Sequence, residues 1–453
     1  MGPARPTRHQ ALVHLLLDGM AASSQRTVLE FFSGIGGLHY ALRRSGVPHR
    51  VLRAYDVDDS AVRTYRHNLP ESKVITQNIV SLTSEDLRQL GADCWLLSPP
   101  CQPHTRQGLQ LGDSDPRSSA LTHVVNLLEC GEAALLPDSL LLENVVGFES
   151  SSARRRLHAV LVQRGYQVRE LWASPVHFGV PNQRTRYFLL ASRVGELAAP
   201  PPAALAPLVL DPASLEAAGA DDGERLPPPR GEVSAELQQA CAPLSSYLLP
   251  AGSSDLEASA VADHVLERYG AAMDLLGRTS RRSLCFTKNY SRYVKGTGSI
   301  LCEGLPEGAS PPMVNDDKSL DVLQPLRPRF FAPREIANIH GFPADFSFPP
   351  VISRKKQFEL LGNSLSVQVC ICICMYICIY ICICRCRRSL ATASRSICAG
   401  TPTRTWTRLD SNLDSTRLDL DPTRLDATRT PLDSTWFDLS LSAQVSARVG
   451  VRS

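Results

Sequence analysis

Short apolar runs alternate with helix-like stretches between residues 27 and 195. The apolar runs predict seven strands, which are Thr27–Phe32, Arg50–Val57, Lys73–Thr76, Cys94–Leu97, Ser139–Glu143, Val168–Ala173 and Tyr187–Ala191. The helices predicted between them are Leu38–Arg44, Ser60–Asn68, Ser118–Leu128 and Arg154–Arg164. Because strands and helices alternate along the chain, the pattern favours an α/β fold with a mostly parallel sheet and helices on both faces.

The rest of the chain divides by composition. Residues 1–25 form an N-terminal extension that weakly resembles a targeting peptide, and Met20 is an alternative start. The first part of the main domain, residues 26–195, is followed by a Pro- and Ala-rich linker at 196–230. A second region of mixed character covers 231–325. Residues 326–369 then return to the main domain, with a helix predicted over Pro333–Ile339.

The character of the sequence changes after Val369. Residues 370–384 contain only Cys, Ile, Met and Tyr, and Thr407–Ser411 recurs imperfectly downstream. Both patterns can be encoded by short nucleotide repeats, so we interpret residues 370–453 as a disordered or artefactual tail of translated simple-sequence DNA. A membrane anchor is the alternative, although the apolar run is short for a span. The alternation of Cys and Ile also predicts that the helix of the main domain is cut off near Val369.

Charge and cysteine usage narrow the class of protein. The net charge of +3 comes from the tail, because the first 369 residues carry 37 basic and 38 acidic side chains. A nucleic-acid surface would therefore have to be local. The six cysteines before the tail include no CxxC pair, which argues against a disulfide framework and a zinc site and indicates a reducing compartment.

Ser98-Pro99-Pro100-Cys101-Gln102-Pro103 is the first candidate for chemistry. The two prolines end the strand Cys94–Leu97 and present Cys101 on a stiff loop at its carboxyl end, where open α/β sheets bind ligands. A thiol placed there is suited to nucleophilic attack. A turn with a small buried cysteine is the alternative.

The first strand is followed by the turn Phe32-Ser33-Gly34-Ile35-Gly36-Gly37, and Asp56 lies 22 residues beyond Gly34. Glycines allow close approach to a ligand, and an acid at this spacing can reach ribose hydroxyls. The pattern is neither GxGxxG nor a phosphate-binding GK[ST] loop, which favours an adenosine cofactor without a pyrophosphate. S-adenosylmethionine fits this description.

Two further segments supply an acid and two cations. Glu143 ends an apolar strand, where it could act as a buried acid beside Cys101 or remain a surface residue next to a helix cap at Asn144. Arg184 and Arg186 stand two residues apart at the entry to a strand and point to one face, which suits a phosphate or a base carbonyl. A solvated edge-strand pair is the alternative.

These segments, together with Leu361-Gly362-Asn363-Ser364-Leu365, occur in the order found in the cytosine-5 methyltransferases, and the chain resembles that family over residues 26–369. The resemblance implies a class I S-adenosylmethionine-dependent methyltransferase fold, Rossmann-like, with a smaller target-recognition domain at 231–325. It implies that Cys101 attacks carbon 6 of a flipped cytosine, Glu143 engages ring nitrogen 3, and Arg184 and Arg186 hold the base and its phosphate. The cofactor contacts that it implies are Phe32, Gly34, Ile35, Gly36, Gly37, Asp56, Val57, Ile79, Ser98 and Asn363, with no metal.

The segment Leu284-Cys285-Phe286-Thr287-Lys288 is similar to the branch of the family that methylates the tRNA for aspartate. This implies that Cys285, Phe286, Thr287 and Lys288 contact or support the RNA, with buried packing of Cys285 as the alternative. The implied protein is a monomer of the cytoplasm and nucleus that acts on tRNA, most of all tRNA-Asp, and more weakly on DNA, without a membrane. His104 departs from the family's motif, which has an aromatic residue at this position. A DNA methyltransferase, or an inactive nucleic-acid-binding protein caused by the aberrant C-terminus, are the alternatives.

Overall fold

A seven-stranded sheet dominates the computed structural model, which describes residues 25–100, 119–194, 210, 234–312 and 319–374. Its strand order is β3-β2-β1-β4-β5-β7-β6. The strands are β1 Arg26–Phe31, β2 His49–Asp56, β3 Val74–Thr76, β4 Cys94–Leu97, β5 Ser139–Val145, β6 Gln167–Ala173 and β7 Arg186–Ser192. Strands β1 to β5 pair in parallel, and β7 runs antiparallel to β5 and β6. The predicted mostly parallel sheet is confirmed, and every predicted strand lies within two residues of its observed bounds.

The helices include all those predicted. They are α1 Gly37–Arg44, α2 Asp59–Asn68, α3 Ser84–Leu90, α4 Ser119–Cys130, α5 Ser152–Gln163, α6 Ala235–Ala240, α7 Asp263–Tyr269, α8 Ser319–Leu323, α9 Pro333–His340 and α10 Arg354–Asn363. The carboxylate of Asp58 caps α2 by accepting from the N–H groups of Ser60 and Ala61. Helix α3 was not predicted, because Leu87 is the only residue it buries and its apolar periodicity is weak.

The central strands β1, β4 and β5 are buried on both faces. In β5, Leu141 belongs to one hydrophobic core, whereas Leu140 and Leu142 belong to the core on the opposite face of the sheet. All three side chains are fully buried. This explains why the sequence shows continuous apolar runs rather than a period of two, as expected for parallel sheets covered by helices on both sides.

A smaller sheet lies in the second region of the chain. It has the order β10-β9-β8, with β8 at Leu275–Leu276, β9 at Ile300–Cys302 and β10 at Pro328–Arg329. Its own small core includes Val261, Leu266, Leu275, Ile300, Cys302 and Leu323. Gln183 joins this region to the entry of β7, because its N–H donates to the carbonyl oxygen of Ser283 at 2.8 Å.

The chain stays helical beyond the predicted end at Val369. Residues 367–374 form a helix, α11, whose Cys370, Ile373 and Cys374 side chains are buried in the core that contains Leu141. Within the described residues the helix therefore continues at least five residues beyond the predicted end near Val369. A helix surrounded by core on most sides needs no polar face, so Cys and Ile in alternation are compatible with it.

The apolar character of this segment has a simple structural context. Residues 354–374 are long and apolar enough to cross a membrane, and 61% of the most apolar window is buried inside the protein. Core helices of globular proteins pass the same test. The predicted extension at 1–25 apart from Gln25, the linker at 196–230 apart from Leu210, and the tail from residue 375 onward lie outside the described residues.

Candidate functional site

The glycine turn, residues 32–37, lies at the carboxyl end of β1 and is held by the end of β2. The N–H of Gly34 donates to Asp56 Oδ2 at 2.8 Å, and the N–H of Asp58 donates to Oδ1 of the same carboxylate at 2.8 Å. Gly34 has a φ of +54°, and a Cβ at this position would meet nothing within 4 Å. The structure thus brings Gly34 and Asp56 together beside open space, as their spacing in the sequence predicts.

Other residues predicted to contact a cofactor line this turn or support it. The apolar side chain of Val57 is 67% exposed next to Asp56. Phe32 has a positive φ of 58°, which is strained for a residue with a side chain, and Ser98 Oγ donates to its carbonyl oxygen at 2.9 Å. The side chain of Ile35 is buried in the core that contains Leu141, and that of Ile79 is buried in the core on the opposite face of the sheet.

Asn363 reaches the glycine turn through its neighbours in the chain. It is the last residue of α10 and is exposed. A Cβ on Gly37 would lie 2.9 Å from Leu365 Cδ1 and 3.4 Å from Ser364 Oγ, so the segment after Asn363 packs directly on the turn. Gly36 precedes α1 with a φ of +87°. The close packing at Gly37 explains why a side chain is excluded there.

This arrangement fits an adenosine-type cofactor. A carboxylate held by two main-chain N–H groups keeps acceptor capacity for hydroxyls, and the exposed Val57 offers an apolar surface for a base. The open space at Gly34 allows the ligand to approach the main chain. Within the described ranges, no group of three or more His, Cys, Asp or Glu residues could hold a metal ion.

A buried polar network beneath the glycine turn was not predicted. Tyr65 donates its hydroxyl hydrogen to Glu30 Oε2 at 2.9 Å, and His39 Nδ1 lies 2.7 Å from the Tyr65 oxygen. All three side chains are buried. Burial raises the pKa of Glu30 to about 8, against the lowering effect of the hydrogen bonds from Tyr65 and the main chain of His39. The carboxyl of Glu30 is therefore largely protonated at neutral pH.

Glu143 occupies the carboxyl end of β5 and is 8% exposed. Its Oε1 atom lies 3.4 Å from Arg186 Nε. Burial raises the pKa of Glu143 and outweighs the opposing charges of Arg186 and Arg184. A carboxyl of this kind holds its proton to higher pH than an exposed glutamate, which suits it to donate a hydrogen bond or a proton.

The start of the Pro-Pro-Cys loop connects the glycine turn to this acid. Ser98 bonds to Phe32 in the turn, and the adjacent Pro99 accepts a hydrogen bond from Asn144 Nδ2 at 3.3 Å through its carbonyl oxygen. Asn144 follows Glu143 directly. Cys101 and His104 lie outside the described residues.

Arg184 binds main-chain groups instead of facing open space. The residue is 3% exposed, and its Nη1 donates to the Phe286 carbonyl oxygen at 2.9 Å and contacts Cys285 Sγ at 3.0 Å. Nη2 donates to the carbonyl oxygens of Gly362, at 3.0 Å, and Ser364. Burial and the nearby charge of Arg186 lower the pKa of Arg184. Arg184 thus joins residues 285–286 to residues 362–364, and the role of Arg184 and Arg186 in holding the base and its phosphate stays a prediction.

The segment 285–288 is placed next to these arginines. Cys285 Sγ also lies 3.8 Å from Arg186 Nη2. Burial raises the pKa of Cys285, but Arg184 and Arg186 outweigh it, so the net pKa is lowered. Phe286 is buried against Tyr290 and Phe331, which makes it a supporting residue. Thr287 is half-buried and Lys288 is exposed. We call Glu143, Arg184, Arg186 and Cys285 the acid–arginine cluster.

Gly362 is a further residue that the motif reading missed. A Cβ at this position would lie 2.1 Å from the main-chain nitrogen of Lys288 and 2.2 Å from the carbonyl carbon of Thr287. The main chains of the two segments therefore touch at Gly362. The Leu-Gly-Asn-Ser motif contains this glycine, but its spacing says nothing about the partner segment, which is 74 residues away. Glu30 could have been found as an acid inside an apolar strand.

Comparison with known proteins gives consistent matches. The family model for C-5 cytosine-specific DNA methylase matches residues 26–377. The tRNA (cytosine(38)-C(5))-methyltransferase of Bos taurus is 34% identical over 394 residues, covering 75% of this chain and 96% of that protein. A DNA (cytosine-5)-methyltransferase of Dictyostelium discoideum is 34% identical over 358 residues, covering 76% and 92%. The crystal structure of Dnmt2 methyltransferase from S. pombe superimposes with a TM-score of 0.60 at 28% identity, covering 78% and 98%.

Proposed function

The chain belongs to the C-5 cytosine-specific DNA methylase family, and from this membership we propose that it methylates carbon 5 of cytosine 38 in tRNA-Asp through a covalent cysteine adduct. The fold is the class I S-adenosylmethionine-dependent methyltransferase fold, and the family uses S-adenosylmethionine as methyl donor. Relatives named for tRNA cytosine-38 methylation, each covered over most of its length, support tRNA as the substrate.

One observation in the structure carries the proposal. Two adjacent residues precede the loop of Cys101. Ser98 is hydrogen-bonded to the glycine turn, and Pro99 is hydrogen-bonded to Asn144, which follows Glu143. The loop that bears the proposed nucleophile thus begins between a cofactor turn and a buried acid. Methyl transfer to a cytosine needs a donor, a nucleophile and an acid within one site.

The residues then take distinct roles. Cys101, as thiolate, forms a bond to carbon 6 of the flipped cytosine while the protonated Glu143 donates a hydrogen bond to ring nitrogen 3. This addition makes carbon 5 nucleophilic. S-adenosylmethionine, when bound, supplies the methyl group that carbon 5 takes up. A base removes the proton from carbon 5, and the bond to Cys101 breaks to regenerate the thiolate. Arg186 keeps Glu143 oriented, and Asp56 and Val57 hold the cofactor.

A DNA substrate is the second candidate, because one relative of equal identity is named a DNA (cytosine-5)-methyltransferase. Labelled-methyl transfer from S-adenosylmethionine to a tRNA-Asp transcript, the same transcript with uridine at position 38, and duplex DNA separates the two. Label in the first transcript alone is expected. Label in DNA alone would overturn the choice of substrate, and equal label in both tRNA transcripts would overturn the choice of nucleotide.

The covalent step has a separate test. A tRNA-Asp carrying 5-fluorocytidine at position 38 should form an adduct with the protein that survives denaturation, because fluorine blocks loss of the carbon-5 substituent. Cys101→Ala should abolish the adduct. Cys130→Ala is the matched control, since Cys130 is an exposed free thiol at the end of α4. An adduct that persists in the Cys101→Ala variant would refute the proposed nucleophile.

A further inference from the structure

A loop leaves the acid–arginine cluster at Lys288. This loop, residues 288–297, is closed at its base by the Thr287 N–H, which donates to the Thr297 carbonyl oxygen at 2.9 Å. Tyr290 anchors it in the core, where its hydroxyl donates to the Ser299 carbonyl oxygen at 2.7 Å and accepts from the Phe331 N–H at 2.9 Å. The loop therefore projects from the protein on a fixed base, although most of its tip is exposed.

The tip of the loop presents an aromatic ring. Tyr293 is 52% exposed, a large apolar surface for a side chain outside the core. Its N–H donates to the Asn289 carbonyl oxygen at 3.1 Å, and its own carbonyl oxygen accepts from Thr297 Oγ1. The guanidinium of Arg292 lies over the ring, 5.3 Å from its centroid. The main-chain N–H and carbonyl groups of Tyr293 are thus both hydrogen-bonded. Little backbone freedom would therefore be lost when a ligand binds the ring.

The loop is also strongly basic. Residues 288–301 include Lys288, Arg292 and Lys295 and no Asp or Glu. All three cations are exposed, and no salt bridge between described residues engages them. This local charge contrasts with the near-neutral balance of the first 369 residues. Cations next to an exposed aromatic ring are the combination that binds unpaired nucleotides, through phosphate contacts and base stacking.

The loop is joined directly to the candidate site. Its first residue, Lys288, packs against Gly362, next to Asn363, and Arg184 binds the preceding residues Cys285 and Phe286. A nucleotide held on the loop would therefore be fixed relative to the cytosine pocket. We propose that Tyr293 is a stacking platform for an unpaired base of the tRNA, with Arg292 and Lys295 on the flanking phosphates. This inference rests on the proposed function and names a specificity determinant for it.

Substitution of Tyr293 tests the platform. Tyr293→Ala should raise the KM and Kd for the tRNA-Asp transcript about ten-fold, the size of one lost stacking interaction, and leave the Kd for S-adenosylmethionine and the kcat at saturating tRNA unchanged. Tyr293→Phe keeps the ring and should behave as wild type. The matched control is Tyr269→Ala, because Tyr269 is 42% exposed and lies under Arg268 at 5.4 Å, but belongs to α7 near the smaller core.

Charge is tested by salt dependence. Combined Arg292→Gln and Lys295→Gln should reduce the slope of log Kd against log salt by about 1.4, as expected for two lost phosphate contacts on a single strand. If Tyr293→Ala leaves the KM unchanged, or if Tyr293→Phe loses as much as Tyr293→Ala, the stacking platform is refuted.

The two proposals fail in different ways. Wild-type methylation of tRNA with a normal KM in Tyr293→Ala would overturn the platform and leave the proposed function intact. Tyr293-dependent tRNA binding without methyl transfer by the wild type would overturn the proposed function and leave the platform standing.

Discussion

The glycine turn and the acid–arginine cluster lie at the same end of the sheet but are built in different ways. In the glycine turn, the bond from Gly34 to Asp56 joins residues 22 positions apart. In the acid–arginine cluster, Arg184 binds Cys285 and Gly362, which are 101 and 178 positions away. The first is assembled by neighbouring strands of one βαβ unit, whereas the second exists only when three distant segments meet. Substitutions in the cluster should therefore disturb more of the molecule than substitutions near the turn.

Arg184→Met should have the largest effect. It leaves the buried carbonyl oxygen of Phe286 and the partly buried ones of Gly362 and Ser364 without their donor, at a cost of about 4 kcal/mol in the free energy of unfolding. Denaturant unfolding measures this loss, and tRNA and cofactor binding should weaken together because both segments shift. Arg184→Lys keeps the charge without the planar fork of donors, so it should recover little stability. An Arg184→Met variant as stable as wild type would show that the cluster does not join these segments.

Glu30→Gln tests the polar network beneath the glycine turn through pH. The folded state raises the pKa of Glu30 from 4.5 to about 8, so it favours the protonated form. The stability of the wild type is then highest below pH 4.5, as far as this group is concerned, and falls as the pH rises towards 8. Gln remains neutral, so the variant should lack this fall, which amounts to about 3.5 kcal/mol between pH 5 and pH 8.

Unfolding of both proteins between pH 5 and pH 8 checks this expectation. Glu85→Gln is the control, because Glu85 is exposed on α3 and the hydrogen bond from Arg88 lowers its pKa, so this variant should keep the fall. A wild type whose stability does not fall relative to Glu30→Gln over this range would mean that Glu30 is ionised in the fold.

Glu143→Gln separates chemistry from architecture within the cluster. Gln keeps the shape and the hydrogen-bonding capacity towards Arg186, but it has no carboxyl proton to donate. We expect kcat to fall about 100-fold, with the free energy of unfolding and the Kd for S-adenosylmethionine little changed. Because burial raises the pKa of Glu143, the active protonated form is lost as pH rises through that pKa. In a profile of kcat against pH, the wild-type kcat should therefore decline at alkaline pH. The variant should not show this decline.

The different construction of the two regions also explains what the sequence could reveal. The pairing of Gly34 with Asp56 was predictable, because adjacent parallel strands bring the ends of one βαβ unit together. The burial of Arg184 was not, since its partners are main-chain carbonyl groups that carry no residue signature. The helix at 367–374 was missed for another reason: its sequence has no amphipathic pattern because the core surrounds it. Long-range packing, rather than local propensity, accounts for each of these differences.

Two glycines provide the finest comparison between the regions. At Gly362, a Cβ would meet main-chain atoms of Lys288 and Thr287 at 2.1 and 2.2 Å, and main-chain atoms cannot rotate away. Gly362→Ala should therefore cost about 2 kcal/mol and weaken tRNA binding, although alanine favours a helix more than glycine does. At Gly34, a Cβ meets nothing within 4 Å, and the cost of about 1 kcal/mol comes from the φ of +54° alone.

Denaturant unfolding and binding of both ligands distinguish the two variants. Gly34→Ala should weaken binding of S-adenosylmethionine and leave tRNA affinity unchanged, because its effect stays within one turn. Gly362→Ala should weaken both, since the glycine joins the segment of Asn363 to the loop that begins at Lys288. If Gly362→Ala weakened cofactor binding alone, the contact between the two segments would have no role in tRNA binding. The distinction between a locally built turn and a cluster built from distant segments would then not hold at Gly362.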